Sequence, residues 1–331
     1  MEVHQDENTW KPVFSELHSS VQEAEATLRN DGSMEKAIKQ VGYADSLDQI
    51  SKIDENIYIS SWKAASNNDL LEMNNIKYVL SAMSIDPKLN LPSDQHIWIP
   101  IEDGSSQNIL QHISKTIKFI DEAVASNSRV LVHCFAGVSR SVTLVSAYLM
   151  KKNDWDPEKA LNYISTKRSN ISPNPSFLKQ LQVYYECRFE LSQQQRPYRL
   201  WLFHKYGDFA VLNIRVPSDV NYTESVRARA GQTEIRCKKC RFILASSDYI
   251  IPHEPNNKPQ NVRCTHYFLE PIRWMQPELE LGNLEGRFDC PKCSSKIGSY
   301  RWQGMQCSCL EWVCPALSVM QSRVDAVRKI M

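Results

Sequence analysis

Ten cysteines occur in the 331 residues, and only Cys134 and Cys187 precede residue 237. The first of these has neighbours that could make its sulfur reactive. A strand-like run, Arg129-Val130-Leu131-Val132-His133, leads into His133-Cys134-Phe135-Ala136-Gly137-Val138-Ser139-Arg140-Ser141 and then an apolar helical stretch reaching Met150. A thiol at a strand end, five loop residues and an arginine at a helix start form a cradle whose backbone N–H groups converge on an anion. Gly137 permits the backbone conformation or close approach that such a cradle needs. The helix dipole and Arg140 favour the thiolate of Cys134. The guanidinium can hold two oxygens of a phosphoryl group in a fork that lysine could not match. The pattern predicts Cys134 as a nucleophile toward phosphorus, Arg140 as the phosphate holder, and Phe135, Ala136, Gly137, Val138 and Ser139 as the loop around the phosphate. A structural cysteine beside an incidental arginine is a poor account of so many matched positions. None of the variable loop positions is Lys or Arg, which favours phosphoproteins over multiply phosphorylated lipids.

The other cysteines are of a second kind. Cys237-Lys-Lys-Cys240 and Cys290-Pro-Lys-Cys293 are two CxxC knuckles, and His253, Cys264, His266, Cys307 and Cys309 lie between and after them. Cys237, Cys240, His253, Cys264, Cys290, Cys293, Cys307 and Cys309 make eight ligands, enough for about two four-coordinate structural zinc ions. Spacing does not say which ligands share a metal; a ribbon pairing would put both knuckles on one ion and the other four on the second. Cys314 reads as a spare thiol and His266 as a surface residue, with a ligand role the alternative for each. Closed sites leave no open position for chemistry, so catalysis needs no cofactor and the zinc module should bind a partner.

The elements that position these groups follow from periodicity. Strand-like runs at Ile57-Tyr58-Ile59, Tyr78-Val79-Leu80, 96–101 and 129–133 alternate with helical stretches at 62–73, 109–120, 141–150 and 177–191, and Asp156-Pro157 opens one more helix. This predicts an α/β fold, an open sheet flanked by helices with ligands at the carboxyl ends of the strands, followed by a small zinc-stabilised, mainly β domain. The expected organisation is an N-terminal extension at 1–47, a catalytic domain at 48–192, a basic linker at 193–232 and a zinc-binding domain at 233–331. Trp10, Val13, Phe14 and Leu17 recur at helical spacing, an amphipathic segment read as an extension packing on the next domain. The near-zero net charge is an average: residues 1–195 carry 19 Lys/Arg against 25 Asp/Glu, and residues 196–331 carry 20 against 13. Within 196–241 ten Arg/Lys face four acids, with Tyr198, Trp201, Phe203 and Tyr206 interleaved. Such a mix can meet phosphates and stack on bases, or its aromatics can pack on the catalytic domain. With 42% hydrophobic and 23% charged residues, disordered, collagen-like and coiled-coil classes are excluded. The start lacks a secretory pattern and no apolar run approaches a membrane span, so a soluble intracellular chain without membrane partners is expected.

The loop resembles the signature of the cysteine-dependent tyrosine and dual-specificity phosphatases: His-Cys, five residues, Arg, then Ser or Thr. The likeness covers roughly residues 50–191. It implies a cysteinyl-phosphate intermediate and an upstream aspartate that protonates the leaving oxygen; Asp103 matches, with Glu102 its competitor and a helix N-cap the bland alternative. It also implies that Ser141 assists the departing thiolate, that His133 orders the loop by hydrogen bonding, and that Asn174 in Pro173-Asn174-Pro175 braces it. Ser141 as a plain helix-start hydroxyl and Asn174 as a simple turn remain open here.

Taken with Cys264-Thr-His-Tyr-Phe268, Trp274-Met275, Lys296-Ile-Gly298 and Cys307-Ser-Cys309, the whole arrangement resembles the YVH type of dual-specificity phosphatase. That resemblance implies dephosphorylation of phosphotyrosine and phosphoserine/threonine in phosphoprotein substrates. It further implies residence in nucleus and cytoplasm, and a zinc tail acting in 60S maturation on pre-60S ribosomal particles, through protein and rRNA contacts. A mainly non-catalytic assembly factor is the alternative. The subfamily has Gly after the last cysteine of the tail, where this chain has Leu310.

Overall fold

The alternation after residue 50 closes into one five-stranded sheet. Strands β1 (Ser51–Lys52), β2 (Ile57–Ser61), β3 (Ile76–Met83), β4 (His96–Pro100) and β5 (Arg129–Cys134) lie in the order β1-β2-β5-β3-β4. All neighbours are parallel except the edge pair β1 and β2. β5 is central and buried from Val130 to Cys134, which is why its sequence is a continuous apolar run and not an alternation. Register sets Ser61 beside Cys134 and Ser81 beside His133.

This is a computed structural model, and it describes residues 16–31, 36, 49–212, 220–223, 227–253 and 264–329. The chain divides into two units, Met1–Leu191 and Ser192–Met331. Among the described residues no helix is long and apolar enough to cross a membrane.

In the first unit the helices are α1 (Glu16–Asp31), α2 (Trp62–Ala65), α3 (Asn68–Met73), α4 (Leu110–Ala125), α5 (Arg140–Asn153), α6 (Pro157–Ser165) and α7 (Pro175–Glu186). The single helical stretch expected at 62–73 is two short helices, because Ser61 and Asn67 each accept a hydrogen bond from the backbone three residues on and start a helix of their own. α6 starts as its sequence predicts, with Asp156 accepting from the Lys159 N–H and Pro157 in the first turn. α7 stops at Glu186, short of the expected Leu191. Arg188 and Phe189 turn left-handed there, at φ 52° and 61°, and fold the Phe189 ring back onto Tyr184 at 5.4 Å. α5 is buried from Arg140 to Met150. Of the N-terminal amphipathic residues, Trp10, Val13 and Phe14 lie outside the described set. The helix that is described packs Val21, Ala24 and Leu28 against Trp62, Met83, Phe135, Ala136 and Val138.

The second unit opens with α8 (Arg196–Val211), followed by β6 (Thr233–Cys237), β7 (Ile243–Ser246), β8 (Ile250–Ile251), β9 (His266–Leu269), β10 (Glu285–Asp289), β11 (Lys296–Arg301), β12 (Met305–Gln306), β13 (Trp312–Val313), β14 (Ala316–Met320) and β15 (Val324–Arg328). The antiparallel sheets run β10-β11-β14-β9-β8, β15-β6-β7 and β12-β13. The stretch expected to be a linker is thus partly helix. Phe203, Tyr206 and Ala210 line its inner face, and Trp302 is fully buried against the first two at ring distances of 6.1 Å. The helical spacing was masked because Tyr198, Leu200, Trp201 and Val211 spread apolar groups around the other faces. Part of the basic excess is also used internally, since Arg196 and Arg199 both pair with buried Glu270.

Candidate active site and metal sites

The strand end at Cys134 and the helix start at Arg140 bend the intervening loop into a tight cup. Gly137 makes the bend at φ +72°, where a Cβ would stand 2.5 Å from the Ser60 carbonyl oxygen, so no other residue fits. The Gly137 N–H donates to Cys134 Sγ at 3.2 Å, and the Ser141 hydroxyl lies 3.3 Å from the same sulfur. Arg140 is fully buried. Its Nη1 donates to the Ile101 carbonyl at 3.1 Å, and Nε faces Asp103 Oδ2 at 3.8 Å. Burial alone would lower the guanidinium's pKa, but Glu25, Asp103 and Cys134 reverse the direction and raise it.

Asp103 and Glu102 part company here. Asp103 is buried in the site, its Oδ1 accepting from the Ser139 hydroxyl at 2.8 Å and from Asn174 Nδ2 at 3.5 Å. Glu102 points outward and pairs with Arg29 at 2.9 Å, with half its side chain exposed. Nor does Asp103 cap the following helix: α4 begins at Leu110, and Gln180 from α7 supplies the acceptor for the Ile109 and Leu110 N–H groups. Asn174 combines its two readings. Its Oδ1 accepts from the Ser176 N–H as the cap of α7, while its own N–H donates to Ser139 Oγ. Phe135, Ala136 and Val138 face α1 and Trp62, as described above.

His133 is a spacer of the loop. Its Nε2 lies 2.6 Å from Ser81 Oγ, which is itself 2.9 Å from His96 Nε2, and its Nδ1 lies 3.3 Å from the Cys134 carbonyl. Nδ1–H donating to that carbonyl, with Nε2 accepting the serine hydroxyl, satisfies every partner and requires a neutral ring. Burial, against the raising effect of the Cys134 carbonyl, pushes the imidazole down from 6.5 to about 3. Between those values the unfolded chain binds a proton that the folded chain refuses. This contribution is therefore neutral above pH 6.5 and destabilises progressively as pH falls toward 3, by at most about 1.4 kcal/mol per pH unit. Urea midpoints of the first unit between pH 5 and 7 should show this slope, and His133→Asn should flatten it; equal slopes would contradict a neutral buried His133.

Two residues outside the sequence-predicted set join the cup. Arg168 is buried, its Nε donating to the Gly137 carbonyl at 2.8 Å and its Nη1 to Ser51 Oγ at 3.0 Å, so it clamps the loop from behind. Nothing in its local sequence marks it. Glu25 of α1 is the other, with Oε1 2.5 Å from Arg140 Nη2. A signal existed for it: an acid flanked by Val21, Ala24 and Leu28 sits in the middle of a helix's apolar face.

In the second unit the eight ligands gather into two groups, Cys237, Cys240, Cys290 and Cys293, and His253, Cys264, Cys307 and Cys309, each with its ligand atoms within 4.8 Å. Both knuckles therefore share one site, as a ribbon pairing requires. Sulfur separations of 3.5 Å (Cys240 to Cys290) and 3.8 Å (Cys237 to Cys293) match the roughly 3.8 Å edge of a tetrahedron with Zn–S near 2.3 Å. In the second group His253 Nε2 lies 3.2 Å from Cys307 Sγ. Burial raises the Cys290 thiol to about 12, and a cation held among the four sulfurs would favour its thiolate. Cys314 lies outside both groups, with its thiol toward the Trp302 carbonyl, and His266 meets Thr265 instead.

The two CxxC knuckles close with the same four-residue turn, and Cys307-Ser308-Cys309 closes with a turn one residue shorter. In each, the residue after the last cysteine donates back to the first cysteine's carbonyl: Arg241 to Cys237, Ser294 to Cys290, Leu310 to Cys307. All three are left-handed, at φ 63°, 53° and 71°. Leu310 therefore takes the conformation a glycine would adopt freely, at a cost of about 1 kcal/mol.

Residues 57–187 match the family "Dual specificity phosphatase, catalytic domain". The chain is 64% identical to the tyrosine-protein phosphatase yvh1 of Schizosaccharomyces pombe over 327 residues, covering 98% of this chain and 99% of that one. It is 30% identical to human dual specificity protein phosphatase 12 over 304 residues, 85% and 89% of the two chains. The crystal structure of the Yvh1 phosphatase domain from Chaetomium thermophilum aligns with 43% of this chain and 99% of that one, at 29% identity and a TM-score of 0.38.

Proposed function

This chain belongs to the YVH1-type dual-specificity phosphatases, and from that premise we propose how its residues divide the reaction and what its second unit does. The observation that carries the catalytic reading is the cup in which Gly137 N–H and Ser141 both address Cys134 Sγ beside the buried Arg140. The Cys134 thiolate attacks phosphorus of a phosphoprotein ester. The bond to the leaving oxygen breaks while Arg140 Nε and Nη2 hold two equatorial oxygens. Asp103, next to Arg140, gives its proton to the departing oxygen, then takes one from the water that attacks the cysteinyl-phosphate. The Ser141 hydroxyl donates to the sulfur as it leaves as thiolate. Phe135, Ala136, Gly137, Val138 and Ser139 supply the loop; His133, Asn174 and Arg168 hold its shape. Acid quenching during turnover of p-nitrophenyl phosphate, followed by mass spectrometry, should find phosphorus on the Cys134 peptide; phosphorus on another residue, or on none, overturns this assignment.

The two cysteine-rich groups are proposed to hold structural zinc, on the strength of their donor set and tetrahedral spacing. The second unit is proposed to act in 60S subunit maturation on pre-60S particles, in nucleus and cytoplasm. Support comes from its charge and from where that charge lies: Lys238, Lys239, Lys296 and Arg323 line a cavity of about 240 Å³ beside the first knuckle, an anion-seeking face. Phe203 and Tyr206 do not contribute, being core residues. Full-length chain carrying Cys134→Ser should still co-sediment with pre-60S particles and Cys290→Ser should not; the reverse pattern refutes the assembly role.

A further inference from the structure

The cup is filled from within the chain. Glu25 of α1 reaches the phosphate-holding arginine: Oε1 lies 2.5 Å from Arg140 Nη2, and Oε2 accepts from the Ser84 hydroxyl at 3.0 Å. The Arg140 and Glu25 side chains are 0% and 5% exposed. Arg140 Nη1 is spent on the Ile101 carbonyl, and neither Nε nor Nη2 makes a well-aligned hydrogen bond. Those two atoms are the fork a phosphoryl group would occupy, and a carboxylate stands at one of its prongs. The rest of α1 is built around that contact. Gln22 Nε2 donates to the Asp103 carbonyl at 2.7 Å, and Arg29 pairs with Glu102. Val21, Ala24 and Leu28 seat on Trp62, Met83, Phe135, Ala136 and Val138. Val21, Gln22, Leu28 and Arg29, each three or four residues from Glu25, lie on its side of the helix. With α1 in place Cys134 is 1% exposed.

We propose that α1 is an intramolecular pseudosubstrate: Glu25 takes the place of the phosphoryl group on Arg140, and its apolar neighbours fill the groove where the substrate's flanking residues lie. Catalysis then needs α1 to swing out, and apparent activity is scaled by the open fraction. The groove takes phosphorylated segments with apolar side chains beside the phosphoresidue, because Trp62, Phe135 and Val138 form its walls.

This rests on the phosphatase reading, and the test separates the two. Full-length wild type, Glu25→Ala and Val21→Asp are compared for kcat/KM on p-nitrophenyl phosphate and for the rate at which iodoacetamide alkylates Cys134. Both variants should rise about tenfold or more in both measurements, since freeing the cradle removes a competing state. If wild type turns over and neither variant exceeds it in either measurement, the proposal is overturned. A rise in Val21→Asp alone refutes the part given to the carboxylate. If no form turns over the ester, the phosphatase reading fails, while the alkylation rates still decide whether α1 covers the thiol.

Discussion

Cys134→Ser lowers kcat for p-nitrophenyl phosphate by at least about 10⁴-fold while leaving the protein folded. The loss is large because the reaction loses its nucleophile. A serine hydroxyl at this position is un-ionised at neutral pH, and no group near it is placed to take its proton: His133 has both nitrogens committed to Ser81 and the Cys134 carbonyl. The fold survives because oxygen is smaller than sulfur and can keep the Gly137 N–H and Ser141 as partners, so stability should change by about 1 kcal/mol or less. The check is steady-state kinetics with a urea midpoint on the same preparation. A loss under tenfold, with the midpoint unchanged, would mean that Cys134 is not the attacking group.

Stripping metal from the second unit, or Cys290→Ser, unfolds that unit and spares the phosphatase. Structural zinc contributes roughly 10–16 kcal/mol of folding free energy in small metal-stabilised domains, whereas a whole domain is stable by only about 5–15 kcal/mol. The metal term is therefore as large as the entire margin. Cys290 is buried and shares its site with Cys237, Cys240 and Cys293, so a serine there leaves a ligand gap in the core as well as an unbalanced charge. The phosphatase residues all belong to the first unit, which has its own sheet and core. Wild type should carry two metal ions per chain, and Cys290→Ser one or none, with tryptic cleavage inside 233–329 and unchanged p-nitrophenyl phosphate turnover. Full resistance of the variant to trypsin would remove the structural role of the metal.

What is local in the chain is legible in its sequence. The loop from His133 to Ser141 is consecutive in sequence, and a strand end, a glycine and a helix start are enough to shape it. The CxxC knuckles are local too, each a single reverse turn that brings two sulfurs together. The pairing of Cys237 with Cys290, or of His253 with Cys307, spans more than fifty residues. The first joins different sheets, the end of β6 in β15-β6-β7 to the end of β10 in β10-β11-β14-β9-β8, a juxtaposition that spacing does not reveal. The helix at 196–211 was hidden for a related reason: its apolar groups point several ways, and only burial against Trp302 picks out the face that counts.

The candidate nucleophile Cys134, its neighbour Arg140 and the set of candidate metal ligands are legible in the sequence itself, because each depends on residue type and short spacing. Tertiary structure alone decided that Asp103 and not Glu102 faces the loop, that Arg168 clamps it, and that Glu25 plugs it. Those choices are made between segments 36, 31 and 115 residues apart, where the direction of a side chain is set by how the elements pack.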